Sequence, residues 1–189
     1  MEDQHRFPRV VSLAAHDLRT PLATVYGFAR TLSRGGGLDE RSARFVEMIE
    51  AAAEQMTDLL DQIGVLARIE GGRYDPALAE ADTLELASSE DPRVDATGEG
   101  ARVETDVPAV KWALEAFAVA AARHGAVEQV TWTVHGNDLE LAPVTTDAGP
   151  IVAGDDVRDL GAVVGRRLVE ELGGSVELNG ETLRVSLQT

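Results

Sequence analysis

The sequence predicts an α+β chain: a helical hairpin that pairs with a second copy to make a four-helix bundle, followed by a reduced α/β sandwich. Three observations predict it. Residues 8–70 carry an almost unbroken helical period of apolar side chains. Residues 93–189 alternate short strand-like runs with two apolar helical runs. Between them, residues 71–92 are rich in Gly, Pro, Asp, Ser and Glu and have little period, so they read as a linker with a short helix or strand over 83–87.

The first helix runs from 8 to about 34. Pro8 suits a first helical turn. Val11, Leu18, Leu22, Val25, Ala29 and Leu32 step by seven and then alternately by four and three, the spacing of a helix packed in a bundle. Gly35, Gly36 and Gly37 end it. Leu38, Asp39 and Glu40 open the second helix, with acids facing the positive end of its dipole. Phe45, Ile49, Ala52, Met56, Leu59, Ile63 and Leu66 keep the same spacing until Gly71 and Gly72. Two long helices joined by a short loop form an antiparallel hairpin. A lone hairpin buries one face of each helix, so stripes of this length call for a homodimer.

In the second region, 101–105 reads as a strand, 108–123 as an apolar helix and 127–134 as a strand. A tight turn at 135–138 leads to a strand over 139–144. A helix over 157–172 stops at Gly173 and Gly174. A last hairpin, 175–178 with 182–187, turns on Asn179 and Gly180. The product is a two-layer sandwich with a mostly antiparallel or mixed sheet.

With 189 residues the chain can form one domain or two small ones. Its net charge of −16 argues against nucleic acid and anionic membrane surfaces as partners, since both need cationic side chains. There is no cysteine, hence no disulfide or thiolate chemistry, and the four histidines show no metal-ligand spacing, so no metal site is expected. The polar segment 1–8 is no signal peptide, and no apolar run reaches membrane-span length. A cytoplasmic protein is expected. Ala, Gly and Arg usage suggests a GC-rich bacterial genome.

At about 100° per residue, His16 lies about 200° from Leu18, on the far side of the apolar stripe. Asp17 is its neighbour, and Thr20 lies one turn on along the same side. An exposed imidazole beside a carboxylate can act as a nucleophile through one ring nitrogen while the carboxylate fixes the tautomer. A lone exposed histidine on a charged face would have no such role.

The run His16-Asp17-Leu18-Arg19-Thr20-Pro21-Leu22 resembles the phosphoacceptor box of two-component histidine kinases. The resemblance implies that His16 is phosphorylated, with Asp17 as its acid/base neighbour and Arg19 as part of the same box. It also implies that Thr20 positions a water for dephosphorylating a response regulator. Pro21 lacks an N–H, frees the carbonyl of Asp17 and kinks the helix there. The family also dimerises through such hairpins.

The order of elements after residue 92 resembles the ATP-binding domain that follows this hairpin in the family, with departures. Residues 106–114 resemble the lead-in to its asparagine box, but Ala116 and Ala120 stand where asparagines would be. A methyl cannot supply the oxygen that Mg²⁺ demands. Arg123 matches a basic position of the box. Asp147 and Gly149 resemble the first glycine box and would be a remnant adenine site, although Asp-x-Gly-Pro also reads as a plain turn. Residues 152–159 are too few for the family's ATP lid. In the glycine-rich turn only Gly161 is in place, Asp159 sets a negative charge where a phosphate would lie, and Gly165 serves close helix packing.

This combination is most like the dimeric histidine phosphotransferases of bacterial phosphorelays. The expectation is phosphoryl transfer to and from response-regulator aspartates through His16, with no cofactor and no ATP use. Receiver domains and a second copy would be the partners. One alternative is the cytoplasmic core of a sensor histidine kinase that binds ATP and Mg²⁺ and autophosphorylates His16. Another is a non-catalytic dimeric scaffold that binds a regulator or kinase.

Overall fold

A computed structural model of the chain describes residues 6–188. Residues 1–5, most of the segment expected to be no signal peptide, lie outside them. The chain divides into two units, Met1–Tyr74 and Asp75–Thr189.

The first unit is a hairpin of α1 (Arg6–Gly35) and α2 (Glu40–Glu70). Asp39 caps α2 by accepting from the Ser42 amide at 2.9 Å, and these bonds hold its carboxyl below the usual carboxylate range. Arg19 of α1 bonds Asp61 of α2, and Tyr26 donates to Glu54. The partners advance seven residues in α1 and retreat seven in α2, which fixes an antiparallel register. The seam between the helices is made of small side chains. Ala15, Leu22 and Ala29 are buried on α1, and Val46, Ala53 and Ala67 on α2. The predicted apolar stripe therefore splits. Leu22 and Ala29 turn into the hairpin, while Leu18, Val25 and Leu32 lie about 60° round the helix and are about half exposed.

The second unit begins inside the stretch read as linker. Residues 71–92 hold β1 (Leu78–Asp82) and α3 (Thr83–Ala87). Then come β2 (Val94–Gly100), β3 (Arg102–Asp106), α4 (Val107–Gly125), β4 (Val130–Gly136), β5 (Asp138–Ala142), the single turn α5 (Gly149–Val152), α6 (Leu160–Glu171), β6 (Ser175–Asn179) and β7 (Thr182–Ser186). β1 and β3 form a two-stranded antiparallel sheet. The other strands form one sheet in the order β2-β4-β5-β7-β6, parallel only between β2 and β4. The sheet is thus mixed, as expected. Its inner face carries Trp132, Val134, Leu139, Leu141, Leu183 and Val185, which join Val110, Leu114 and Phe117 of α4 and Val169 of α6 in one core. The chain is of the α+β class.

β2 is not anticipated by the sequence, and its pairing shows why. Gly98 sits at φ +114°, and a Cβ there would fall 2.1 Å from the carbonyl oxygen of Val134 on β4. Only glycine allows this approach, so the strand lacks an alternating pattern. Two boundaries also shift. β4 starts at Val130 because Ala126, in the left-handed region at φ +51°, ends α4 and sends 127–129 into a loop. α6 starts at Leu160 because Asp159 caps it, leaving Val157 in the preceding loop, 83% exposed.

Candidate functional site

The helical phase set by the alanine seam decides where His16 points. Ala15 is 3% exposed against α2, and one residue on, about 100° round, the His16 side chain is 73% exposed. Asp17 beside it is 67% exposed, and Thr20, a turn further, is also exposed. The imidazole Nδ1–H donates to Asp17 Oδ1 at 3.2 Å. An ionised carboxylate only accepts, so this bond assigns the ring proton to Nδ1 and leaves the Nε2 lone pair free to face solvent. α1 runs through Pro21, which offers no N–H to the Asp17 carbonyl.

Arg19, grouped with these residues in the sequence, is turned elsewhere. Its Nε and Nη2 donate to Asp61 Oδ1 at 2.9 and 2.6 Å. Gly64 opens the space, since a Cβ there would stand 3.3 Å from the guanidinium. Arg19 therefore bridges α1 and α2 three residues from the histidine. Asp61 and Gly64 were not legible as site residues, because nothing in the sequence links them to Arg19.

The second unit brings the remaining candidates to two places. Ala120 is buried and Ala116 half-buried on α4. Across from them Asp159, 8% exposed, caps α6 through Ala162 N at 3.1 Å. Its other oxygen accepts from His124 Nε2–H at 2.9 Å and lies 3.4 Å from Arg123 Nη1. Gly161 joins this group, since a Cβ there would stand 3.2 Å from Asp159 Oδ1 and 3.5 Å from Ala116 Cβ. Gly165 does serve helix packing. Its missing Cβ admits the Ala113 carbonyl oxygen and Phe117 Cζ, each 3.3 Å away. His124 had one sequence signal, its place next to Arg123.

Asp147 and Gly149 differ in exposure. Asp147 is exposed in a turn, whereas Gly149 is buried with Leu178 Cδ2 2.7 Å from where a Cβ would point. Among the described residues no group of three or more His, Asp or Glu side chains is placed to hold a metal ion. No helix among them is long and apolar enough to cross a membrane.

Residues 9–72 match the family model of the His Kinase A (phospho-acceptor) domain. Over 196 aligned residues, 95% of this chain and 32% of the relative, the sequence is 27% identical to Histidine protein kinase DivJ of Caulobacter vibrioides. Over 62 residues, 33% of the chain and 8% of the relative, it is 36% identical to Sensor protein DivL of the same organism. The chain thus spans about a third of DivJ and a small part of DivL. Among solved structures, full-length ShkA in complex with AMPPNP aligns with a TM-score of 0.67 at 22% identity, over 94% of this chain and 44% of that one. The histidine kinase AdeS of Acinetobacter baumannii aligns at 0.59 and 16% identity, over 92% of this chain and 98% of that one. These two likenesses show the fold.

Proposed function

We propose that this chain is a two-component signalling protein of the histidine kinase family, a histidine phosphotransfer protein that passes phosphoryl groups to and from the aspartates of response-regulator receiver domains through His16 and uses no ATP of its own. The observation that carries the reading is the contrast between its two units. The phosphoacceptor side offers an exposed imidazole whose Nδ1–H is bound by Asp17, with Nε2 free. The nucleotide side carries methyl groups at Ala116 and Ala120 and a carboxylate at Asp159 where ATP and Mg²⁺ would need oxygen ligands and positive potential.

Three features argue against a nucleotide there. Ala116 and Ala120 carry methyls where an oxygen ligand is needed. A carboxylate, Asp159, occupies the N-terminus of α6, where a phosphate would seek positive potential. Leu178 stands over Gly149.

The transfer is balanced without a nucleotide. The Nε2 lone pair attacks the phosphorus of a receiver's aspartyl phosphate, the bond from phosphorus to the carboxylate oxygen breaks, and the carboxylate leaves. The Nδ1 proton stays on the ring, where Asp17 stabilises the cationic phosphoimidazole. The chain supplies in-line access, and the receiver supplies its own Mg²⁺. Thr20, exposed one turn from His16, would hold a water that hydrolyses the receiver's aspartyl phosphate to carboxylate and inorganic phosphate. The half-exposed row of Leu18, Val25 and Leu32 on α1, with Phe45, Ile49, Met56 and Leu59 on α2, is the surface through which two hairpins would form the bundle.

A second reading, a histidine kinase that still phosphorylates His16 from ATP, is favoured by the kinase names of the relatives and by the ATP-binding type of fold in the second unit. One experiment separates the two. Labelled receiver domains, charged with acetyl phosphate, and separately labelled ATP with Mg²⁺, are each incubated with the chain and with His16→Gln. Label arriving from a receiver and absent in the variant supports transfer. Label arriving from ATP, lost in the same variant, refutes the reading without ATP.

A further inference from the structure

We propose that Asp159 is a built-in stand-in for a nucleotide phosphate, a fixed latch that keeps the degenerate site of the second unit shut; the inference deepens the reading in which the chain uses no ATP, and rests on it. The carboxylate is 8% exposed and takes its donors from two helices. On its own helix, α6, Oδ1 accepts from the Ala162 amide at 3.1 Å. From the end of α4, the His124 Nε2–H donates to Oδ2 at 2.9 Å, and Arg123 Nη1 lies 3.4 Å from the same oxygen. A helix-terminal amide, an imidazole and a guanidinium are the donor types that a phosphate oxygen would take.

The latch sits at the degenerate boxes themselves. A Cβ on Gly161, the remaining glycine of the phosphate turn, would meet Asp159 Oδ1 at 3.2 Å and Ala116 Cβ at 3.5 Å. Carboxylate, glycine and the position that lost its asparagine therefore share one spot. The short loop before α6 is fastened as well. Arg166 donates to the carbonyl oxygen of Ala153 at 3.1 Å and to Asp155 at 2.6 Å, and Arg158 is held by Asp156 at 2.9 Å. An incoming phosphate would meet a carboxylate already bonded to the donors that it would use.

The test uses the full chain and inorganic pyrophosphate as probe, at constant ionic strength with chloride as the balancing anion. Melting temperature is read for wild type, Asp159→Gly, Asp159→Asn, and Asp159→Gly combined with Arg123→Ala and His124→Ala. Wild type is expected to ignore millimolar pyrophosphate. Asp159→Gly is expected to melt lower and to regain several degrees with the probe. Asp159→Asn keeps an oxygen to cap Ala162 but replaces the acceptor of His124 and Arg123 by an amide that only donates, which frees those two donors, so it should fold and respond even if the glycine variant does not fold. The triple variant should not respond. A response in wild type, or none in Asp159→Asn and Asp159→Gly, would overturn the latch and leave Asp159 a plain helix cap. Receiver-to-His16 transfer is measured on wild type and Asp159→Asn in parallel. Intact transfer without the gain in pyrophosphate response rejects the latch alone, and absent transfer in wild type rejects the phosphotransfer reading whatever the melting data.

Discussion

Replacing Ile49 with Glu should separate the proposed pair of hairpins. In the hairpin alone Ile49 is 45% exposed, beside Phe45 at 52%, Met56 at 47% and Leu59 at 46%. Full burial of such a side chain contributes about 1.5–3 kcal/mol, so about half of that, ~1 kcal/mol, remains to be gained on association. A twofold interface uses each position twice, which makes the loss about 2 kcal/mol for the pair. The introduced carboxylates must also lose water without a partner, at about 1–3 kcal/mol more. The sum, about 4 kcal/mol, weakens dimerisation about a thousandfold. Sedimentation velocity over a concentration series measures it, with Ala51→Glu, exposed on the same helix and about 160° round from Ile49, as the charge control. A wild-type chain that stays monomeric at high concentration would refute the reasoning. So would a control that weakens association as much as Ile49→Glu does.

Gly98→Ala would force a Cβ to 2.1 Å from the Val134 carbonyl oxygen, so β2 must detach from β4, and urea unfolding of the second unit should lose more than about 3 kcal/mol. Gly165→Ala gains about 1 kcal/mol of helix propensity but crowds the Ala113 backbone and the fully buried Phe117, where overpacking costs about 1–3 kcal/mol. Its net effect is a loss of up to about 2 kcal/mol, read in the same experiment. Arg19 and Asp61 are 38% and 58% exposed, so a double-mutant cycle should give a coupling of at most about 1 kcal/mol. The rate of transfer through His16 should suffer more than stability does. The Arg93 side chain, with its backbone amide, holds the Asp91 carboxyl down to about 2. The folded value lies below the ordinary one of about 3.9, so this group stabilises fully above that pH and progressively less as the pH falls to about 2. The difference in urea midpoint between wild type and Asp91→Asn should therefore be largest near neutrality and vanish in strong acid.

The helices of the first unit were legible because their period is long and their stops are glycines; the structure moves their ends by few residues. The Asn179–Gly180 hairpin was legible for a local reason too, a turn that its residues specify alone. β1 and β2 were not. β1 is mostly exposed and pairs only with β3, and β2 carries Asp95, Thr97, Gly98 and Glu99 on an edge where the neighbour, not the residue pattern, imposes the strand. The same divide holds for the sites. His16 and Asp17 are adjacent, so their geometry follows from one helix. Arg19 meets Asp61 across 42 positions and His124 meets Asp159 across 35, and both contacts depend on how two helices pack. Asp159 and Arg123 were each visible in the sequence, but their meeting, with His124 between them, was not.

The alanine seam of the hairpin has a consequence for abundance. Ala15, Ala29, Ala53 and Ala67 let the helices approach closely but withdraw little apolar surface from water, and the bulkier side chains of both helices remain uncovered. In the proposed dimer, most of the free energy that would hold the hairpin together therefore comes only with the second hairpin. By mass action the melting temperature of this unit should climb with protein concentration, and at high dilution the helix that presents His16 should fray. In a cell, the amount of this chain would then set what fraction of its phosphoacceptors exists at all.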